Sequence, residues 1–388
     1  MSELIQKNDN RATIRWKLLT SASALALTAT VSTMNVAGAE DADRPTLWVE
    51  VGGQFDQFSG QGSPFTPAFV NTTDWAAYGL KSPAGIQNMH IFSLGGDASV
   101  SFQPTDSDWI FSASARYGRA QGHKSVHQQH TQSTRFQLPN ALGGILAGKY
   151  FTNTAPASYA QTRADKSESH LIVDFQAGKD VGLGMFGRDA SSVFGVGVRF
   201  ARMNENAQAT LRARPAIYFI PASIFGSPAH VTNNYHRYYA TAQRAASFHG
   251  VGPSISWNAS VPIVGNIPDG EITVDWGANA AMLFGRQRVK THHHTTGSYH
   301  YRTPGKYHHT GVAGLPPGSG HRTQTRSVSV PNLGGFAGLS VRYSDVKMSL
   351  GYRADFFFGA IDNGFDTREA ETRGYYGPFA SISVGFGG

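Results

Sequence analysis

Apolar and polar residues alternate along the segment that ends the chain, from Gly374 to Phe386. Neighbouring side chains of a strand point to opposite faces, so one face here is apolar and the other is mostly small and polar. The apolar face carries Pro378, Ala380, Ile382, Val384 and Phe386. Such alternation, ending in an aromatic residue, is typical of the last strand of a membrane β-barrel. A strand of a soluble β-sandwich alternates in the same way, so the other segments have to decide.

Nine earlier segments show the same alternation, at 47–55, 92–102, 109–117, 171–177, 194–200, 251–261, 272–284, 337–343 and 346–358. The connections between them are alternately short and long. Residues 103–107 and 262–270 are short connections, whereas 119–167, 204–246 and 286–331 are long. Short turns at one end and long loops at the other are the pattern of outer-membrane barrels, and a soluble sandwich gives no reason for it.

We therefore predict the fold class as all-β, a transmembrane antiparallel up-and-down β-barrel of about ten strands with long extracellular loops. Eight and twelve strands stay open, because residues 135–151 and 213–220 either add strands or fold within loops. An even number of strands leaves both termini in the periplasm. A β-hairpin is predicted near the end of the chain, because Ser344-Asp345 makes a two-residue turn between the alternating segments 337–343 and 346–358.

The start of the chain predicts export. Lys7, Arg11, Arg15 and Lys17 precede an apolar run over 18–31, and Ala37-Gly-Ala39 fits a cleavage site of small residues. We predict a signal peptide over 1–39 and an outer-membrane β-barrel over 40–388, in the outer membrane of a Gram-negative bacterium. The chain has no cysteine, which excludes a disulfide framework. The mean hydropathy of −0.28 does not count against a barrel, because alternating residues cancel in any hydropathy window.

If the apolar faces contact lipid, the opposite faces point into the lumen. Their charged members are five acids and five bases: Glu50, Asp97, Arg116, Asp174, Arg199, Asp275, Arg342, Lys347, Arg353 and Asp355. We predict these residues to be pore-lining, because rings of charge set ion selectivity in membrane channels. The competing interpretation is a plug, in which paired charges fill a narrow barrel. Eight strands leave an interior just wide enough for side chains, and sixteen leave an aqueous channel, so width does not decide.

Histidines are concentrated in two of the long connections. His123, His127 and His130 fall in one; His292, His293, His294, His300, His308, His309 and His321 fall in the other, a His-rich loop. Imidazoles ligate zinc, nickel or copper, but this loop has no carboxylate between 286 and 331 and matches no defined motif. A solvated loop that gains positive charge as pH falls is the alternative. We predict no metal site and no cofactor.

Other function classes find little support. Basic residues near the outer rim, Arg286, Arg288, Lys290 and Arg302, are placed to meet lipid phosphates by ion pairing. The sequence contains no G-x-S-x-G elbow and no Ser/His/Asp set with a triad spacing, so we predict no catalytic residues and no enzyme. The net charge is +7, but its basic residues are not clustered with aromatics in a nucleic-acid motif, so we predict no nucleic-acid partner.

Four short segments carry a resemblance to a known family: Asp108–Gly118, Val173–Gly178 with the turn Gly182–Gly184, Phe248–Pro253 and Gly377–Phe386. In these segments the chain resembles the family of the Legionella major outer membrane protein, a set of pore-forming outer-membrane proteins. The resemblance implies an outer-membrane pore and transfers no catalytic residues. The chain departs from the family's usual ending, because Gly387-Gly388 follow the terminal aromatic residue.

The expected function is therefore a porin-like pore for passive diffusion of ions or small polar solutes. The alternative is a non-conducting surface β-barrel that acts in adhesion or envelope integrity through its long loops. The partners that we expect are outer-membrane lipid and lipopolysaccharide, the barrel-assembly machinery through the C-terminal strand, and small solutes. The sequence leaves the solute and the oligomeric state open.

Overall fold

A computed structural model describes residues 47–59, 92–104, 107–130, 133–137, 150–154, 158–181, 191–214, 217–220, 232–266, 269–302, 310–364 and 368–386. The regular elements in these ranges are β-strands: β1 Leu47–Ser59, β2 Phe92–Phe102, β3 Trp109–His130, β4 Ser133–Gln137, β5 Tyr150–Thr154, β6 Ser158–Asp180, β7 Ser191–Arg214, β8 Ile217–Ile220, β9 Thr232–Asn266, β10 Gly270–Arg302, β11 Thr310–Tyr343, β12 Val346–Asp362 and β13 Ala370–Phe386. No helix in the described ranges is long and apolar enough to cross a membrane. The predicted signal peptide lies outside these ranges.

Ten of the strands close into one antiparallel ring. The order around the ring is β1-β2-β3-β6-β7-β9-β10-β11-β12-β13, and β13 returns to pair with β1. Leu47 lies opposite Phe386 and Val51 opposite Ile382, so the last strand closes the barrel against the first. Closure satisfies the backbone hydrogen bonds of both edge strands, as a segment within lipid requires. The predicted fold class, an all-β antiparallel barrel of ten strands, is confirmed.

The two regions that left the strand count open do not add members to the ring. β4 and β5 pair with each other in a separate two-stranded sheet. β8 pairs only with the start of β9, where Ile217 lies opposite Tyr235. Both β4 and β8 therefore belong to the part of the chain beyond the ends of the shorter strands.

A continuous apolar band covers the outer face of the barrel. Large apolar side chains on it are exposed in the isolated chain, for example Leu94 at 81 %, Leu350 at 65 % and Phe284 at 58 %. Such a surface is far larger than the apolar patches of soluble proteins, and lipid is the environment that covers it. The charged residues Asp97, Arg116, Asp174 and Arg353 occupy inward positions over the same stretch, so the strand register keeps them away from the lipid face. We call the barrel end with Leu47 and Phe386 the turn end.

Six strands run well beyond the band at the opposite end, and we call this part the extension. β9, β10 and β11 have 35, 33 and 34 residues, whereas β12, β13, β1 and β2 have 17, 17, 13 and 11. Much of the sequence predicted as long loops is therefore strand, including 286–302 and 310–331. The prediction was wrong there because apolar alternation marks only the part of a strand that contacts lipid. Outside the band both faces are polar, and the backbone ladder continues without an apolar signal.

The band gives a test of the register. Leu350 points outward from the middle of the β12 band, so Leu350→Arg should lower the free energy of unfolding by roughly 2–4 kcal/mol in a bilayer. Asn206→Arg is the control, because Asn206 is exposed on the extension and its substitution should change stability by less than about 0.5 kcal/mol. Denaturant titration of refolded protein in phospholipid vesicles measures both, and equal costs would contradict the assigned band.

Candidate functional site in the barrel lumen

A polar cavity of about 380 Å³ occupies the lumen near the turn end. Serines make up much of its wall, among them Ser99, Ser114 and Ser340. Eight of the ten residues predicted to face the lumen line this cavity: Glu50, Asp97, Arg116, Asp174, Arg199, Asp275, Lys347 and Arg353. The period-two pattern of each strand therefore placed these side chains on the correct face. Their role in a pore stays a prediction.

Ion pairs join most of these inward charges. Arg116 Nη1 lies 2.5 Å from Asp355 Oδ2, and Lys347 Nζ lies 2.6 Å from Asp275 Oδ2. Arg353 Nη1 lies 3.7 Å from Asp97 Oδ2. The Arg116–Asp355 pair joins β3 to β12, which have three strands between them in the ring, so this contact crosses the lumen. At this pair, two of the inward charges meet across the lumen.

Arg199 is the most connected residue of this charged layer. Its Nε donates to Asp174 Oδ1 at 2.6 Å and its Nη2 to Asp174 Oδ2 at 3.1 Å, a bidentate arrangement. Its Nη1 donates to the side-chain oxygens of Asn279 and Asn332. One guanidinium thus joins strands β6, β7, β10 and β11. Only 3 % of the Arg199 side chain is exposed, so this contact is buried inside the barrel.

Two aromatic rings pack against Arg353 in the same charged layer. The guanidinium of Arg353 lies over the rings of Phe379 and Phe336, at 4.7 and 5.8 Å from their centroids. These two rings meet edge to face at 6.1 Å. Such cation–π contacts strengthen when water is excluded. Arg353 is therefore held between aromatic rings and the Asp97 carboxylate.

The remaining two predicted residues lie at different depths. Asp355 is 1 % exposed and receives the Arg116 guanidinium. Arg342 lies at the turn end, with its guanidinium 5.2 Å from the ring of Trp48. Trp48 alternates with the outward Leu47 and Val49, so it shares the inward face with Glu50.

An apolar layer fills the lumen beyond the charged layer, and we call it the septum. Its members come from nine of the ten ring strands and each is at most 9 % exposed: Phe58, Ala120, Ile172, Ala201, Met203, Ala246, Phe248, Ala281, Leu283, Val289, Val330, Phe357, Ala360, Ile361 and Tyr375. Phe248 and Phe357 are fully buried. The septum is a packed hydrophobic core inside a membrane barrel.

The alternation of apolar and polar residues does not predict the septum, although the sequence contains a signal for it. Three apolar residues stand in a row at Leu171–Val173, Met282–Phe284 and Phe356–Phe358. Continuous apolar residues mark a strand that is buried on both faces. In each triplet the outer two residues belong to the lipid face, and the central one, Ile172, Leu283 or Phe357, enters the septum. Assigning every inward position to a polar lumen was therefore too simple.

A second set of charges lies on the extension side of the septum. Glu205 accepts hydrogen bonds from Arg244 Nη2, at 2.5 Å, and from Arg373 Nη2. Arg373 on β13 and Glu205 on β7 lie far apart in the ring, so this pair also crosses the lumen. Along β7 the inward residues read Arg199, Ala201, Met203, Glu205. This order places the septum between two charged layers.

Lys166 and Glu168 complete this upper layer, with Lys166 Nζ 2.6 Å from Glu168 Oε1. Both lie beyond Leu171, the last apolar outward residue of β6. Burial lowers the pKa of Lys166, although the Glu168 carboxylate opposes that shift. Burial alone would raise the pKa of Glu168, but Arg373 and Lys166 hold it below its usual value. Glu168 therefore stays charged at neutral pH.

A cavity of about 770 Å³ lies above this upper layer. Its lining includes the inward-facing Gly122, Lys166, Ala207, Arg244 and Thr291. The volume falls within the range of small-molecule sites. The lumen is thus divided into two polar cavities, one at the turn end and one in the extension, with the septum and its two charged layers between them.

The histidines of the predicted loops lie on strands where the structure describes them. His292 and His321 are directly opposite each other on β10 and β11, and both are exposed. Gly320 leaves room for the ring of His293, because a Cβ at Gly320 would lie 2.5 Å from it. His308 and His309 lie outside the described residues. Within the described ranges, no three His, Asp or Glu side chains form a group that could hold a metal ion.

Comparisons with known proteins add little about function. No protein-family model matches the chain, and no curated protein matches it. Among solved structures, the transport unit of the autotransporter AIDA-I from Escherichia coli is 8 % identical, with 94 % of this chain and 97 % of that chain covered and a TM-score of 0.24. The P. putida toluene transporter TodX is 9 % identical, with 90 % and 91 % covered and a TM-score of 0.17.

A mutant of the TodX monoaromatic hydrocarbon channel gives a similar result, with 9 % identity, 89 % and 91 % coverage and a TM-score of 0.21. At scores this low, the likenesses carry no argument about this chain. The fold assignment therefore rests on the strand pairing of this chain itself.

The Arg199–Asp174 pair can be tested by a double-mutant cycle. Arg199→Met leaves the Asp174 carboxylate buried without its bidentate partner, so the free energy of unfolding should fall by roughly 3–5 kcal/mol. Adding Asp174→Leu removes the unpaired charge and should recover most of that loss. Denaturant unfolding in vesicles measures both variants, and additive losses in the double variant would show that the pair is not coupled.

Proposed function

We propose that the protein is an outer-membrane β-barrel that does not conduct solutes through its lumen and that acts through the extension outside the cell. It is the non-conducting alternative to the pore, with the strands of the extension in place of the long loops that the sequence predicts. The observation that carries it is the septum, which fills the lumen with apolar side chains from nine strands. The fold and the apolar outer band support placement in an outer membrane, with the turn end in the periplasm.

Two barriers in series support a closed lumen. From Arg199 to Glu205, the wall of β7 spans about 20 Å along the strand. Within that span, an ion would have to pass a tightly buried layer that is mostly apolar, in which the polar His170 and Asp56 are themselves buried against the septum. It would also have to displace ion pairs at both sides, since Arg116–Asp355 and Arg373–Glu205 each cross the lumen. A hydrophobic constriction alone is enough to stop conduction in channels.

The passive pore, our first expectation, has the polar cavities in its favour. Each cavity ends at a charged layer, so neither of them reaches through the barrel on its own. A porin would need a continuous path past Phe248 and Phe357, both of which are fully buried. The geometry therefore favours the non-conducting barrel over the pore.

The extension is the part best suited to act outside the cell. Its strands are joined by long ladders, and β10 pairs with both β9 and β11 as far as His300. From Arg286 to Arg302, β10 rises about 55 Å along the strand. A wall of this kind holds exposed side chains in fixed positions above the membrane, as adhesion or envelope contacts require.

Single-channel recording tests the proposal directly. Refolded protein inserted into planar bilayers should give no conductance steps above those of protein-free bilayers in molar potassium chloride. Heat modifiability on electrophoresis gels confirms that the inserted protein is folded. Steps of uniform size from the folded protein would overturn the closed-lumen proposal and restore the porin.

Substitutions in the septum test whether it is the barrier to ion flow. Phe248→Ala with Phe357→Ala removes two fully buried rings from the septum, so conductance steps should appear. The matched control is Phe284→Ala with Phe358→Ala, because these phenylalanines lie on ring strands but point to lipid. The control should stay silent in the same recordings. Steps in the control and none in the septum variant would show that the septum is not the barrier.

A further inference from the structure

Basic residues form a patch on the outer face of the barrel, directly beyond the apolar band. The patch consists of three outward-facing rows that the strand register defines, and we call it the basic rim. The first row is Arg202, His249, Arg286 and Ser327; the second is Arg119, Ser169, Asn204, Ser247, Arg288 and Thr325; the third is Gln121, Ser167, Asn206, Ala245, Lys290 and Thr323. Every arginine and lysine of these rows is exposed.

The rim follows the lipid face without a gap. Phe200, Val251 and Phe284 lie side by side on β7, β9 and β10, and they form the last apolar row of the band there. Two residues further along each strand are Arg202, His249 and Arg286. Successive outward rows lie about 7 Å apart. The guanidinium groups therefore stand at the level where the headgroups of the outer leaflet begin.

All charged residues of the rim are basic. Its three rows hold four arginines and one lysine and contain no Asp or Glu. Within the described ranges, none of these five side chains forms an ion pair with a carboxylate; the first outward acid beyond the rim, Asp165, lies 3.5 Å from Arg163 instead. The other members are mostly Ser, Thr and Asn, which donate hydrogen bonds.

The spacing between Arg202 and Arg286 allows both side chains to contact one phosphate group. Arg202 and Arg286 both flank His249, so they stand two strands apart, at about 9.6 Å. Both side chains are long enough to reach one anionic group placed over His249. Arginine pairs with phosphate through two parallel hydrogen bonds, and the pairing strengthens where water is scarce. Neutral hydroxyl and amide groups in the second row offer further donors to the same group.

We infer that the basic rim binds the phosphate groups of an anionic lipid of the outer leaflet, of the lipid A type. The inference rests on the proposed placement in an outer membrane and names the partner of that surface. Binding there would also fix the height and the tilt of the barrel, because the rim occupies only the side built from β3, β6, β7, β9, β10 and β11. The lipid would contact the apolar row with its acyl chains and the rim with its phosphates.

The test uses full-length protein refolded in nanodiscs of phosphatidylcholine. Lipid A with two phosphates is titrated into the discs, and bound lipid is counted by native mass spectrometry. The variant Arg202→Gln/Arg286→Gln should weaken binding at least about tenfold, since it removes two charge-assisted contacts. The matched control is Arg163→Gln/Arg212→Gln, which removes two outward arginines further along the extension and should bind as the original protein does.

Two further binding measurements show whether the phosphates of lipid A, its acyl chains or free anions account for the binding. Lipid A from which the phosphates have been removed should bind the original protein as weakly as bisphosphorylated lipid A binds the rim variant. Inorganic phosphate at millimolar concentration should not displace the lipid. Equal binding of phosphorylated and dephosphorylated lipid A would overturn the inference, as would equal losses in the rim variant and its control. Displacement by inorganic phosphate would also overturn it and would indicate a site for free anions.

These outcomes are independent of the lumen. If the rim variant binds lipid A like the original protein while bilayer recordings show no steps, the result contradicts the lipid site and leaves the closed lumen unaffected. If recordings show conductance steps while the rim binds lipid A, the result contradicts the closed lumen and supports the lipid site.

Discussion

Closure of the strand ring is the constraint on which the rest of the structure depends. Lipid offers no hydrogen-bond partner to a backbone amide, so a sheet that crosses a bilayer must return to its own first strand. The pairing of β13 with β1 does this, and it divides every strand into lipid-facing and inward residues. The inward residues of ten strands then share a narrow space. Charges placed there have to find partners across the lumen, as Arg116 and Asp355 do.

The narrow interior explains why the same barrel contains two kinds of core. Near the turn end, short serines leave room for a polar cavity between the ion pairs. Further along, buried apolar residues such as Ile172, Phe248 and Phe357 pack together and form the septum. An apolar core stabilises by removing surface from water, whereas buried ion pairs chiefly make a wrong arrangement costly. Together they give the lumen a single closed packing, while the outer face changes from apolar residues to the basic rim.

Much of this architecture follows from alternation alone. The ten segments and their antiparallel order in a barrel were predicted, because the lipid face demands apolar side chains at every second position. The inward charges were placed on the right face for the same reason. Their partners were not predictable, since Asp355 meets Arg116 only through the curvature of the closed ring. The extension was mistaken for loops because strands outside lipid need no apolar face. The septum escaped because Ile172 and Phe357 are hidden between two outward apolar residues.

Accessibility of the lumen from its two ends tests the closed barrel most directly, and the absence of native cysteine makes the measurement clean. Ser114→Cys places a thiol in the cavity at the turn end, and Ala207→Cys places one in the cavity of the extension. A membrane-impermeant maleimide is added to either side of vesicles that hold the protein in one orientation. If the lumen is closed, each thiol should be labelled only from its own side. Labelling of both thiols from the same side would show a continuous path and contradict the closed lumen.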